Sequence, residues 1–183
     1  MNEIVRFDES TPDPVADPSG YRQALLGLLG EDDPAEVQAA TPAALAELLA
    51  RAGDAMRMPP AKGEWSAVEV LGHFTDAELV TAARYRWILA HDRPEIAAYD
   101  QDLWATRLRH REEDPAELLA LFEAIRHADL RLWERTPEED RDRFGIHAER
   151  GEESFDLLFR MLAGHDRFHL NQLRRTLDAV APA

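Results

Sequence analysis

The sequence has no cysteine. That excludes disulfide cross-links, thiolate metal ligands and a cysteine nucleophile together. No apolar run approaches the ~20 residues that a membrane-crossing helix needs, and the opening Met1-Asn2-Glu3 does not resemble a signal peptide. Basic residues are outnumbered: 21 Lys and Arg against 36 Asp and Glu leave a formal charge of −15. A surface that acidic repels phosphate backbones and anionic lipid, so nucleic acid and membranes are poor partners for it. Glycine (9) and proline (11) are too few for a low-complexity chain, and most prolines fall at helix starts or in two loops. Against these absences stands a 45% apolar content in 183 residues, enough to bury one substantial core. The expectation is a cytoplasmic protein with an irregular arm over residues 1–18 and a single domain over residues 19–183.

Helical punctuation dominates the rest. Tyr21, Leu25, Leu28 and Leu29 recur at helical spacing over residues 19–29, and Gly30 stops them. Asp33-Pro34-Ala35-Glu36 sets an N-cap, a proline at the first helical position and an acid at the third, which predicts a short helical turn. Thr41-Pro42 then predicts a separate helix to about Ala52. Ser66-Ala67-Val68-Glu69 is a capping box that opens a helix over 67–91, with Val70, Leu71, Phe74, Ala77, Val80, Ala83, Trp87 and Ile88 as a broad apolar stripe. Asp114-Pro115 opens another to about Arg135, and Ser154 caps the last, over 155–180. Between them lies a connection over 92–113, long enough to cross an end of the fold or cover a site. Phe144-Gly145-Ile146-His147 could be extended, but it is too short to found a sheet. Four amphipathic helices that must bury one another predict an all-α protein, a four-helix bundle with one long crossover connection.

The last helix carries His165 and His169. Side chains four apart stack on one helix face, so two imidazoles so placed can reach one metal ion. They share their face with Leu158, Gln172 and Thr176 rather than with the neighbouring charges, which points them inward. The alternative is a pair that hydrogen-bonds polar neighbours such as Gln172 or Thr81. A metal site needs a third ligand, and His73 lies between Val70 and Ala77 on the stripe of a different helix. Three neutral imidazoles suit zinc, nickel, iron or manganese. Asp76 and Asp166 could orient a ring N–H. His91, His110, His127 and His147 read as ordinary core or surface residues, though His147 could reach an open site. Asp129, beside His127, reads as solvated. A general base would be needed for chemistry, and position makes Asp76, Glu78 and Asp102 the candidates. Glu78 and Arg84 fit a solvated helix face equally well, and Trp87 and Trp104 could line a pocket.

Trp65-Ser66 with Glu69-Val70-Leu71-Gly72-His73-Phe74-Thr75-Asp76-Ala77-Glu78, then Tyr99-Asp100-Gln101-Asp102-Leu103-Trp104-Ala105, then Gly151 through Ser154 with His165-Asp166-Arg167-Phe168-His169, resemble three successive blocks of the DinB-like (YfiT-like) superfamily. The resemblance covers about residues 20–178. It implies a four-helix bundle with an unusual order of helix directions, often a homodimer, and a divalent metal held by His73, His165 and His169. Relatives of that kind include thiol S-transferases that use a low-molecular-weight thiol and a mycothiol-dependent isomerase. The resulting expectation is a metal-dependent enzyme, of transferase or hydrolase type, acting on a small-molecule substrate. The competing expectation is a non-catalytic, stress-related module that binds metal for stability or dimerises.

Overall fold

The structure is a computed structural model that describes residue 12 and residues 14–181. The arm expected over residues 1–18 therefore falls largely outside the described residues. The described residues form six α-helices: α1 (Pro18–Leu29), α2 (Pro34–Ala52), α3 (Ala67–Ala90), α4 (Gln101–Arg107), α5 (Pro115–Arg135) and α6 (Phe155–Val180). Their starts are chemically marked. Asp33 Oδ1 accepts from Ala35 N at 2.7 Å, Asp114 Oδ1 from Ala116 N at 2.8 Å, and Ser154 Oγ from Leu157 N at 3.1 Å. Each supplies an acceptor to backbone donors that the first helical turn leaves unpaired.

Helices α2, α3, α5 and α6 form the bundle. Each of α2 and α3 packs against both α5 and α6, so α2 and α3, consecutive in the chain, lie on opposite corners. Helix α1 stands outside this ring against α6. The two meet backbone to backbone: a Cβ on Gly164 would lie 2.0 Å from the Leu25 carbonyl oxygen, so only glycine permits this approach.

Two apolar clusters fill the bundle. One gathers Leu45, Leu49, Leu71, Phe74, Phe122 and Leu173; the other gathers Tyr85, Ile88, Phe155, Phe159 and Leu162, with Trp133 stacked on Phe159 at 4.0 Å between centroids. Between them in sequence, on each bundle helix, come polar residues. Arg126 of α5 is 1% exposed. Its Nε and Nη2 donate to Glu78 Oε1 and Oε2 of α3 at 2.9 and 2.7 Å, and its Nη1 and Nη2 donate to both Asp166 oxygens of α6. Thr41 of α2 donates its hydroxyl to Asp166 Oδ2 at 2.8 Å. The earlier reading of Glu78 as a solvated residue is thus corrected, and so is that of Asp129, which is fully buried and accepts from Arg86 at 2.8 Å.

The same guanidinium explains a second departure. Helix α2 is continuous through Pro42, where the sequence reading placed a break. Proline at 42 cannot donate to the Gln38 carbonyl four residues back, which would leave a buried acceptor unpaired. Arg126 Nη1 supplies the missing donor at 3.1 Å.

The connections also hold a three-stranded sheet, ordered β1 (Glu95–Ile96), β2 (Phe144–His147), β3 (Gly151–Ser154). Strand β2 pairs parallel to β1 and antiparallel to β3. The Phe144–His147 segment, expected to be too short for a sheet, is its centre. A two-residue edge strand has no periodicity to read, and tertiary pairing creates it.

Replacing Arg126 with methionine should cost about 3–5 kcal/mol in urea unfolding, because two carboxylates would be left buried without their cation. A loss below ~1 kcal/mol would show that they reach solvent instead. The network also sets a pH dependence. Two carboxylates share one guanidinium, and burial pushes Glu78 from 4.5 up to about 7. The folded chain therefore holds a proton on Glu78 that the unfolded chain releases, so this contribution is full below pH 4.5 and fades as pH rises through about 7. The difference in stability between wild type and Glu78→Gln, measured by urea midpoints from pH 4.5 to 7.5, should change along this window; a constant difference would refute the assignment.

Candidate metal centre

The capping box fixes the start of α3: Glu69 Oε2 accepts from Ser66 N at 2.8 Å and Ser66 Oγ at 2.6 Å, and Arg111 donates to the same oxygen at 2.9 Å. From that start, His73 points toward α6. There the four-residue spacing stacks His165 and His169 with ring centroids 4.3 Å apart. His73 Nε2 lies 3.0 Å from His165 Nε2 and 3.1 Å from His169 Nε2. Trp65, Phe74 and Phe168 wall the cluster, with ring centroids 5.1 Å from His73 and 5.8 and 4.6 Å from His169.

The protons are constrained. His169 Nδ1 donates to Gln172 Oε1 at 2.7 Å, so a neutral His169 turns a lone pair at Nε2 toward the other rings. Burial pushes all three imidazoles down, His169 to about 4, and His169 beside them lowers His73 and His165 further. At neutral pH they are uncharged. One proton cannot satisfy three nitrogens that converge this closely, and a cation can. Imidazole nitrogens bound at 2.0–2.1 Å to one ion lie roughly 2.9–3.4 Å apart for angles of about 90–110°, so the donor set and spacing fit a divalent metal.

Gln172 is the polar neighbour that fixes the His169 ring. Asp166 lies next to His165 in sequence, yet its oxygens are committed to Arg126 and Thr41, and His165 Nδ1 is buried without a partner. Asp76, buried, accepts from His110 Nε2 at 2.6 Å. That ring fits because residue 72 is glycine: a Cβ there would lie 2.5 Å from His110 Cγ.

His73 and His165 form part of the wall of a cavity of about 450 Å³. Of the three carboxylates named as candidate bases, Asp102 alone lines it. Glu78 is inside the Arg126 network, and Asp76 is held by His110. Neither Trp87 nor Trp104 belongs to the wall, and Trp87, expected in the core stripe, is 45% exposed. The wall includes residues that sequence reasoning did not select: Tyr21, Tyr99, Arg84, His147 and Arg150. One signal was available. His73, Ala77, Thr81 and Arg84 are spaced 4, 4 and 3 and therefore share one helix face. Residues 98–102 of the long connection also cover this cavity.

Comparison with known proteins agrees with this geometry. The DinB superfamily pattern matches residues 22–173. A protein of Geobacillus thermodenitrificans named "putative metal-dependent hydrolase" is 28% identical over 169 residues, covering 90% of this chain and 94% of its own length. A protein of Oceanobacillus iheyensis with the same description is 27% identical over 118 residues, covering 64% of this chain and 67% of its own. Among solved structures, YfiT from Bacillus subtilis, described as having an unusual four-helix bundle topology, aligns with a TM-score of 0.69 at 18% identity. That alignment covers 93% of this chain and 91% of YfiT, and at such identity it speaks for the fold. With the family pattern spanning most of the bundle, this chain belongs to the DinB superfamily.

Proposed function

We propose that this chain is a metal-dependent hydrolase of a small molecule, with His73, His165 and His169 as the ligands. The observation that carries the reading is three convergent Nε2 atoms on and beside the wall of a cavity. Three protein donors beside open space favour chemistry, whereas a purely structural site is closed by a fourth. This argues against the non-catalytic module. The names of the two relatives favour hydrolysis as the reaction.

When bound, a divalent ion lowers the pKa of a water toward neutrality and polarises an electrophile. The chain supplies the rest. Gln172 holds the His169 ring so that Nε2 faces the site. Asp102, one of the carboxylates on the cavity wall, is assigned here as the proton acceptor. The aromatic wall formed by Trp65, Phe74 and Phe168 keeps water from the far side of the imidazoles. A low-molecular-weight thiol bound at the same position would convert the site to S-transfer, the reaction implied by the family resemblance. A homodimer belongs to the same proposal and is tested by sedimentation equilibrium of the purified chain; a monomer at all concentrations removes it.

Purified without a histidine tag, the protein should carry close to one divalent ion per chain, and His73→Ala should lose nearly all of it. Gln172→Ala should weaken metal affinity about 10–100-fold, the usual cost of removing a partner that orients a ligand. Little metal in the wild type, with none regained from zinc, nickel, iron or manganese, would overturn the ligand assignment. Asp102→Asn should retain the metal and lose turnover of an ester panel; unchanged turnover would remove Asp102 from its role.

A further inference from the structure

Arg84 is 6% exposed, on the cavity wall, three helical turns beyond His73. Its Nη2 donates to the Ala97 carbonyl at 2.7 Å, and its Nε is buried with no hydrogen-bond partner among the described residues. Among the described residues, no carboxylate lies within ion-pair distance of its guanidinium. Glu153, a buried acid of β3, is engaged by Arg150 at 2.6 and 3.0 Å. A buried cation without a counter-charge is costly, and its charge faces whatever enters the cavity.

His147, the last residue of β2 and 2% exposed, sharpens this. Its Nδ1 accepts from the backbone N–H of Glu149 at 3.2 Å and of Arg150 at 3.3 Å. Burial, with Arg150 and Arg84 nearby, pushes His147 down to about 4, so the ring is neutral at physiological pH. A neutral ring that accepts at Nδ1 carries its proton on Nε2. Yet His147 Nε2 stands 3.2 Å from Arg84 Nη2, itself a donor with no lone pair to offer. Two donors face each other on a cavity wall, and only an acceptor can reconcile them.

We propose that Arg84 and His147 form an anion subsite that takes the carboxylate of a small substrate whose reacting group lies at the three-histidine end of the same cavity. This deepens the hydrolase reading and rests on it for the identity of the reacting end. One guanidinium and one neutral N–H match a single negative charge. A dianion such as phosphate is disfavoured, because Asp100, Asp102 and Glu149 line the same cavity and repel added charge. Tyr21 and Tyr99 share the wall, and burial pushes their phenols up, so both remain O–H donors at neutral pH. His73 and Arg84 are eleven residues apart on one helix, roughly 16 Å of axis, so the substrate is elongated, with charge at one end.

The test is a titration of the zinc-treated and the metal-free chain with butyrate, butyramide and inorganic phosphate, followed by the nitrogen–proton resonances of His147 and Arg84. Butyrate should shift them saturably, and butyramide should not. Arg84→Gln should weaken butyrate at least about tenfold, the loss expected for a charge-assisted hydrogen bond. His147→Asn, which keeps an acceptor for the Glu149 and Arg150 amides, should weaken it as well and guards against misfolding of the first variant. Equal response to butyrate and butyramide, butyrate binding unchanged in either folded variant, or tighter binding of phosphate than butyrate would each overturn the proposal. Metal content read on the same samples separates the two readings: carboxylate selectivity in a chain that never holds metal would keep the subsite and remove the hydrolase.

Discussion

The structure depends on one buried guanidinium. Arg126 enters from α5 and bonds Glu78 of α3, Asp166 of α6 and the Gln38 carbonyl of α2, so every helix of the bundle is tied to it. A network of this kind is weak evidence for stability, since apolar replacement of the whole set can be as stable. Its consequence is register. Sliding any bundle helix by one turn would strand a carboxylate or a carbonyl in a dry core, whereas the two apolar clusters on either side would tolerate the shift far better. The histidines inherit that register: Asp166 adjoins His165, and Glu78 lies five residues from His73. The approach of His73 Nε2 to about 3 Å from both His165 Nε2 and His169 Nε2, which apolar packing alone would not fix, follows from the alignment of α3 and α6 by a residue on a third helix.

Around the histidines, the fold separates two environments. On one side are the aromatic rings of Trp65, Phe74 and Phe168 and the polar layer. On the other is a cavity whose wall comes from pieces remote in sequence: α1, α3, the 98–102 stretch, the end of β2 and α6. The small sheet matters here more than in the core. By pairing β2 between β1 and β3, it holds His147 beside Arg84 and turns the Glu149 and Arg150 amides onto the imidazole. A bundle alone would supply the metal ligands; the sheet supplies the opposite end of the cavity.

Much of this was legible in the chain. Asp33, Ser66, Asp114 and Ser154 announce helix starts because capping is local chemistry, and the ends of α3, α5 and α6 fall within a residue of expectation. His73, His165 and His169 were recognisable because helical spacing and inward-facing neighbours belong to the helix itself. What could not be read depends on partners in other helices. Pro42 looks like a helix boundary until Arg126 supplies the donor it lacks. Glu78, Asp129 and Arg84 look solvated, because charge on a helix ordinarily is, and only depth of burial distinguishes them. Asp166 seemed suited to orient a histidine by adjacency, yet its oxygens are taken by Arg126 and Thr41. The strands are too short for any pattern, since two to four residues acquire their conformation from pairing.

Helix α1 stands apart from this interlocked set. It touches the bundle through α6, against the bare backbone of Gly164 and under Arg167, which donates to the Leu28 and Leu29 carbonyls at 2.7 and 2.9 Å. It also contributes Tyr21 and Leu25 to the cavity wall. One wall of the chamber is thus carried by a satellite element, outside the guanidinium's reach. Substitutions in α1 therefore reshape this wall without touching the network that aligns the histidines.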